Sequence, residues 1–337
     1  MKELIVRGPG QLAWVDVSSP TLSSTHGALV RPIASASCDL DRRLIAGLTP
    51  FKAPFALGHE CVAEVLEVGD DVSSVRRGDL VSVPWKISCG QCRQCIAGRE
   101  TACTSVPRHA AYGVPAGGHW GGLFSELVHV PYADAMLVAL PPGLNPLAVA
   151  SASDNLTDAW VATSRPIAAR EEARVLVVGG TESLGVLAVQ MAVAAGAASV
   201  DYLDDNDYRC DLALRSGANV EFGENLDESY DVVVAATRDP LELHRGLLAL
   251  APGGHCSCIG IIFEDPKIPL FGMYLRDVTL SVGVCNVRPH IPKVLELVGN
   301  GHCEPLLVSP TVVSCEEATE ALIQPLAKCI VVRERIT

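Results

Sequence analysis

Cys89, Cys92, Cys95 and Cys103 fall within one short loop, SCGQCRQCIAGRETAC. Thiolates two or three residues apart close around a tetrahedral zinc, and a loop with few apolar side chains gains its order from such a clamp. The competing chemistry is a pair of disulfides or a set of ordinary buried thiols. With four protein ligands and no open position, a zinc in this loop is structural, so any reaction needs a second site.

A further chemical signal lies at Gly179-Gly180-Thr181-Glu182-Ser183-Leu184-Gly185, between the apolar run RVLVV and a helical pattern. A glycine turn in that setting lets backbone N–H groups approach a pyrophosphate at a helix N-terminus. Glu182 is out of place there, because its charge repels phosphate unless it points away. Asp204, at the end of the next apolar run, is positioned to accept both ribose hydroxyls and to repel a 2′-phosphate, with Asp201 and Asp205 as rival carboxylates. The expected cofactor is therefore NAD rather than NADP. Read without a ligand, the glycines only make a tight turn and Asp204 caps a helix.

The elements that must carry these groups change character along the chain. Up to about residue 150, short valine-bearing segments such as CVAEVLEVGDDV and GDLVSVPW alternate with Gly and Pro, as in a β-barrel with long loops. From about residue 172, RVLVVGG, SVDYLDD, NVEFG, DVVVAAT, HCSCIG and VTLSVGV read as six strands, most of them separated by helical periodicity. That alternation predicts a doubly wound parallel sheet. A helix, IPKVLELVGNG, follows, and then a tail with the strand candidates PTVV and KCIVVRE.

The chain has 337 residues, 49% of them hydrophobic, enough for two domains, and a net charge of −13 with no basic cluster. Nucleic acid is not expected as a partner. No apolar stretch approaches the roughly 20 residues needed to span a bilayer, and the N-terminus lacks a signal-peptide pattern, so a soluble cytoplasmic protein is expected. In that setting its 13 cysteines read as metal ligands and reduced thiols.

Cys38, then Gly58-His59-Glu60, then the four-cysteine loop and a dinucleotide-binding region follow one another in a characteristic order. In this the chain resembles the zinc-containing medium-chain alcohol dehydrogenases, essentially end to end. The resemblance implies an α/β fold with a GroES-like catalytic domain, here 1–153 and 289–337, a Rossmann domain, 154–288, and an active site in the cleft between them. It implies a second zinc held by Cys38, His59 and, in SASDNLTDAW, Asp154. One thiolate, one imidazole and one carboxylate leave the fourth position that a catalytic zinc requires. The resemblance further places Glu60 beside the metal, Asp41 behind His59, Thr157 near the nicotinamide and Lys328 near the pyrophosphate, with Arg288 a further phosphate candidate.

The pattern is broken at position 40, where many members carry a Ser or Thr that starts the proton path to solvent. Leu40 has no proton to relay. Asp39 and Arg43 also depart from the family, so the proton leaves through a water, Asp39 or another group, or the usual relay is not needed. Trp85 matches a substrate-facing position, and with Leu40 across from it suggests an apolar pocket; His119 and Trp120 are candidates for its rim.

These features predict an oxidoreductase that interconverts a small-molecule alcohol and an aldehyde or ketone, with two zinc ions per chain and NAD. Leu40 motivates an alternative, reduction of a conjugated C=C or a C=N bond. Leu40 and Glu182 together motivate a protein of another class, one that binds zinc and nucleotide without turnover. VTLSVGV is able to pair across a two-fold axis, predicting a homodimer or homotetramer.

Overall fold

The computed structural model describes residues 1–221, 226, 229–324 and 328–334. By compactness it divides into two units: Met1–Thr157 with Cys285–Gly299 and Ser309–Thr337, and Asp158–Val284 with Asn300–Val308.

The first unit is built on the strand Ala28–Ala36, nearly every residue of which is buried. It pairs antiparallel with Glu60–Val68, with Val128–Val130 and with the tail strand Cys329–Val332. The central strand therefore has neighbours from both ends of the chain. Leu80–Ser82, Val138–Ala139 and Thr311–Ser314 complete a seven-stranded sheet, and Lys2–Gly8 lies between Gln11–Asp16 and Phe55–Ala56 in a smaller one. Val30, Val65, Val81, Val83, Tyr112 and Leu123 fill its interior. Full burial of a valine or leucine is worth about 1.5–3 kcal/mol, which is what this β-branched strand composition supplies.

In the second unit six strands run parallel, in the order Asn219–Glu221, Ser199–Leu203, Arg174–Val178, Tyr230–Ala235, Leu250–Cys258, Thr279–Val282. These are the six apolar segments expected from the sequence, although Phe222 and Gly223 of NVEFG lie outside the described residues. Numbered along the chain the order is 3-2-1-4-5-6, that of a dinucleotide-binding sheet. The helix Leu184–Ala194 is buried on nearly all sides, from Leu184 to Ala192, which explains its almost wholly apolar sequence. Gln190 is the polar exception. Its amide accepts from Cys303 Sγ (2.9 Å) and Glu304 N (3.1 Å) and donates to Glu304 O (3.3 Å), tying the segment Asn300–Val308 into this unit. Among the described residues, no helix is long and apolar enough to cross a membrane.

Candidate active site

Cys38 caps the helix Asp39–Ala46: its Sγ accepts Leu40 N at 3.5 Å, while Asp41 Oδ2 accepts Cys38 N at 2.8 Å. This is a capping box with cysteine and aspartate in place of serine and glutamate, and it fixes where the thiol points. Gly58 has φ 95°, and a Cβ there would sit 2.4 Å from the Phe124 ring. Only glycine fits, so the chain turns tightly enough to present His59 as the strand Glu60–Val68 begins. Asp154 ends the short 3₁₀ turn Ala150–Ser153 and immediately precedes the helix Asn155–Ala168.

These three elements bring Cys38, His59 and Asp154 together, one ligand atom from each lying within 4.8 Å of the others. Asp154 Oδ2 is 3.4 Å from Cys38 Sγ and 3.6 Å from His59 Nε2. Ligands about 2.0–2.3 Å from a tetrahedral zinc stand roughly 3.3–3.7 Å apart, so the observed spacings fit one metal ion. Behind His59, Asp41 Oδ1 lies 3.4 Å from Nδ1, both side chains almost wholly buried, though without hydrogen-bond alignment. Burial by itself lowers the imidazole pKa; Asp41 and then Asp154 overcome it and raise the group to about 9. The Cys38 thiol is pushed well up by burial and by Asp154, Glu60 and Asp41.

The four-cysteine loop shows the same fit. Its Sγ–Sγ distances are 4.0 Å (Cys89–Cys95), 3.5 Å (Cys92–Cys95), 3.9 Å (Cys92–Cys103) and 3.6 Å (Cys89–Cys103). A tetrahedral zinc tetrathiolate has an edge of about 3.8 Å.

Several expected roles change once the contacts are seen. Glu60 does not face the three ligands freely: Oε1 accepts Asn155 N at 3.1 Å and Oε2 accepts Lys328 Nζ at 2.6 Å. Lys328, expected at a pyrophosphate, is fully buried, and its ammonium donates to Ser37 O (2.5 Å), Glu60 Oε2 and Asn155 Oδ1 (3.2 Å). With three N–H groups on three acceptors, it has none left for a phosphate. Burial lowers its pKa, but Glu60 and Cys38 more than reverse this, so it remains a cation. Arg288, the other phosphate candidate, donates to Asp134 O at 3.3 Å and lies near Glu100 of the cysteine loop. Thr157 Oγ1 donates to Ala152 O at 2.5 Å.

Trp85 stands beside His59, ring centroids 6.1 Å apart, with its Nε1 buried and unpartnered. Leu40 packs partly against the cluster of Leu4, Val6, Leu44 and Phe124. Asp39 is buried, and its charge acts on Lys328. Arg43 reaches Leu48 O at 3.2 Å, at the far end of its helix. His119 and Trp120 line a cavity of about 240 Å³ with Glu3, Phe55 and Val114, and none of the three ligands borders it.

In the second unit, Glu182 does not project toward a phosphate, because it is paired with Arg238. Thr181 Oγ1 accepts Gly185 N at 3.2 Å and holds the turn onto its helix, which starts at Leu184. A Cβ on Gly179 would come within 2.3 Å of Asp204 Oδ2 and 2.4 Å of the Tyr202 hydroxyl, so the first glycine is required by what packs beneath it. Asp204 Oδ2 accepts from Tyr202 OH (2.7 Å), Gly180 N (3.0 Å) and Arg209 Nε (2.7 Å), and Oδ1 accepts from Arg209 Nη2 (2.6 Å) and Asn206 N (3.0 Å). Expected to meet a ribose, this carboxylate is saturated by its own chain. Tyr202, Arg209 and Asn155 carry no motif and were not foreseen; the one available signal was Asn155's place next to Asp154.

Residues 24–142 match the family described as alcohol dehydrogenase GroES-like domain. The chain is 27% identical to a probable zinc-binding alcohol dehydrogenase of Mycobacterium tuberculosis over 95% of its length and 84% of the relative's. The structure of an alcohol dehydrogenase from Thermus sp. ATN1 superposes with a TM-score of 0.91, at 27% identity, over 98% of this chain and 99% of the other. A putative zinc-binding dehydrogenase from Sinorhizobium meliloti, solved bound to NADP, superposes with a TM-score of 0.83 at 25% identity, over 98% and 99%. The likeness holds in sequence and in fold over almost the whole length, and in this the chain is similar to the zinc-containing alcohol dehydrogenases.

Proposed function

We propose that the protein is a zinc-dependent oxidoreductase that interconverts an alcohol and an aldehyde or ketone by hydride exchange with NAD(H). The observation that carries this reading is the convergence of Cys38, His59 and Asp154 from three separate elements onto one point. These residues would hold the catalytic zinc, and Cys89, Cys92, Cys95 and Cys103 a structural one. A zinc with an open position acidifies a hydroxyl and polarises a carbonyl oxygen.

The chain's own groups serve that chemistry in separate ways. Asp41 carries negative charge behind the His59 ring, on the side away from the Asp154 carboxylate that Nε2 faces. Trp85 supplies an apolar wall beside His59, favouring a substrate with a hydrophobic substituent. Leu40 offers no proton, so the hydroxyl proton leaves through water or Asp39. The glycine turn and the helix N-terminus that follows it at Leu184 receive the pyrophosphate, with Glu182 withdrawn by Arg238.

The coenzyme has a second reading, favoured by Arg209. If the guanidinium leaves Asp204 it becomes a cation where a 2′-phosphate would lie, as suits NADP, the ligand of the Sinorhizobium relative. We further propose a homo-oligomer formed through the exposed edge strand Thr279–Val282.

The test is metal analysis together with a panel of primary and secondary alcohols, each offered with NAD⁺ and NADP⁺. Two zinc ions per chain are expected, with Cys38→Ala losing one of them and all turnover. Undiminished turnover in that variant overturns the reading. A saturated ketone and its enone, offered with either reduced coenzyme, separate carbonyl from C=C reduction.

A further inference from the structure

Asn155 touches two of the three candidate ligands at once. Its Nδ2 lies 3.3 Å from Cys38 Sγ and 3.2 Å from Asp154 Oδ2, in a residue only 4% exposed. Which end of an amide points where is set by its partners, and here one partner decides it. Lys328 Nζ, 3.2 Å from Oδ1, is an ammonium that only donates, so the oxygen must face it and the NH₂ must face the sulfur and the carboxylate. The backbone of the same residue is fixed as well, through Asn155 N to Glu60 Oε1 at 3.1 Å. Glu60 and Lys328 are in turn paired with each other, both fully buried. Asn155 is thus held at N and Oδ1 by groups that cannot move without exposing a buried charge, and only its NH₂ is directed at the ligands.

We propose that Asn155 is a positioning residue of the Cys38/His59/Asp154 centre, setting the separation of thiolate and carboxylate and withdrawing charge from the sulfur by N–H···S donation. His59 has the charge of Asp41 behind it; Asn155 supports the other two ligands. This inference rests on the proposed metal centre. A side chain that merely filled space would fix neither the donor strength of the sulfur nor the spacing of two ligands.

The probe is cobalt(II), added to chain retaining zinc in the four-cysteine loop, with Cys38→Ala identifying which absorption belongs to the three-ligand set. Asn155→Ala removes both ends of the amide; Asn155→Asp keeps an acceptor for Lys328 but has no donor for the sulfur. Both are expected to bind cobalt at this centre about 10–100-fold more weakly. In both, the thiolate-to-cobalt charge-transfer band should move to longer wavelength, because an unbonded sulfur gives up charge more readily. Zinc in the four-cysteine loop should be unaffected and reports that the variants are folded. Affinity within about twofold of the parent and an unmoved band, in whichever variant folds, overturn the role of Asn155. No Cys38-dependent band in the parent chain overturns the metal centre and this role together.

Discussion

The guanidinium of Arg209 lies across both carboxylate oxygens of Asp204, with Nε 2.7 Å from Oδ2 and Nη2 2.6 Å from Oδ1. Burial alone would raise the Asp204 pKa, but Arg209 and Tyr202 hold it below the ordinary value, so the pair is ionised. Removing Arg209 frees a carboxylate that accepts ribose hydroxyls and repels a 2′-phosphate. Arg209→Gln is expected to raise the ratio of kcat/KM for NAD over NADP by about tenfold or more, the worth of a charged hydrogen bond. Asp204→Ser should move the ratio the other way. Steady-state kinetics with both coenzymes reads the outcome, and an unchanged ratio in both variants removes Arg209 from coenzyme selection.

Lys328 and Glu60 form a fully buried ion pair 2.6 Å long. Losing one member leaves an uncompensated charge in the interior, which costs about 3–5 kcal/mol. Lys328→Met is therefore expected to lower unfolding stability by that amount, with the double variant Lys328→Met, Glu60→Gln recovering most of it. Denaturant unfolding of the two single variants and the double variant gives the coupling. Additive losses would mean that the two side chains do not act as a pair.

Asp134 accepts from the amides and hydroxyls of Ser73 and Ser74 at 2.7–3.1 Å. Burial by itself would raise this carboxyl, but the Ser74 and Ser73 donors together outweigh it and bring it down from 3.8 to about 2. Since the folded value lies below the unfolded one, the stabilisation is complete above pH 4 and disappears as pH falls toward 2. Because the group is largely exposed, solvent screening reduces its worth to about 1 kcal/mol. Asp134→Ala should lower the urea midpoint near pH 7, with the gap to the parent narrowing steadily below pH 4. A gap independent of pH would mean that shape, and not charge, is what the variant loses.

The strand Thr279–Val282 is the last of its sheet, and Val282 is 73% exposed; on the helix Leu270–Arg276, Phe271 is 75% and Tyr274 81% exposed. An unpaired strand edge beside large apolar side chains is a template for a second copy. The parent chain is expected to sediment as a dimer or tetramer, and Ser281→Pro with Val282→Lys as a smaller species. A monomeric parent chain would exclude this edge as an interface.

How much of this was legible depends on the distance over which each contact is made. The cysteine spacing, Gly58-His59-Glu60 and the six apolar strands are local patterns, and each appears in the fold where its pattern implies. Asn155, Tyr202 and Arg209 belong to no such local pattern. Their roles arise only when separate elements pack: the Tyr202 hydroxyl beneath Gly179, the Arg209 fork on Asp204, the Asn155 amide between Lys328 and Cys38. The resemblance places Lys328 near the pyrophosphate; in the fold its ammonium meets Glu60, on a strand near the other end of the chain.

The contact between Lys328 and Ser37 spans 291 positions of the chain. During synthesis at about 5–20 residues per second, the thiol of Cys38 emerges some 15–60 s before the lysine that closes the space behind it. Over that interval Ala28–Ala36 lacks the neighbour that Cys329–Val332 later provides, and Glu60 lacks its cation. The nascent chain thus carries an open strand edge, and Glu60 without its partner, until the whole of the second unit has been made. The four cysteines of the loop are by contrast translated together and next to one another, whereas the surroundings of Cys38 are complete only when Lys328 has been added.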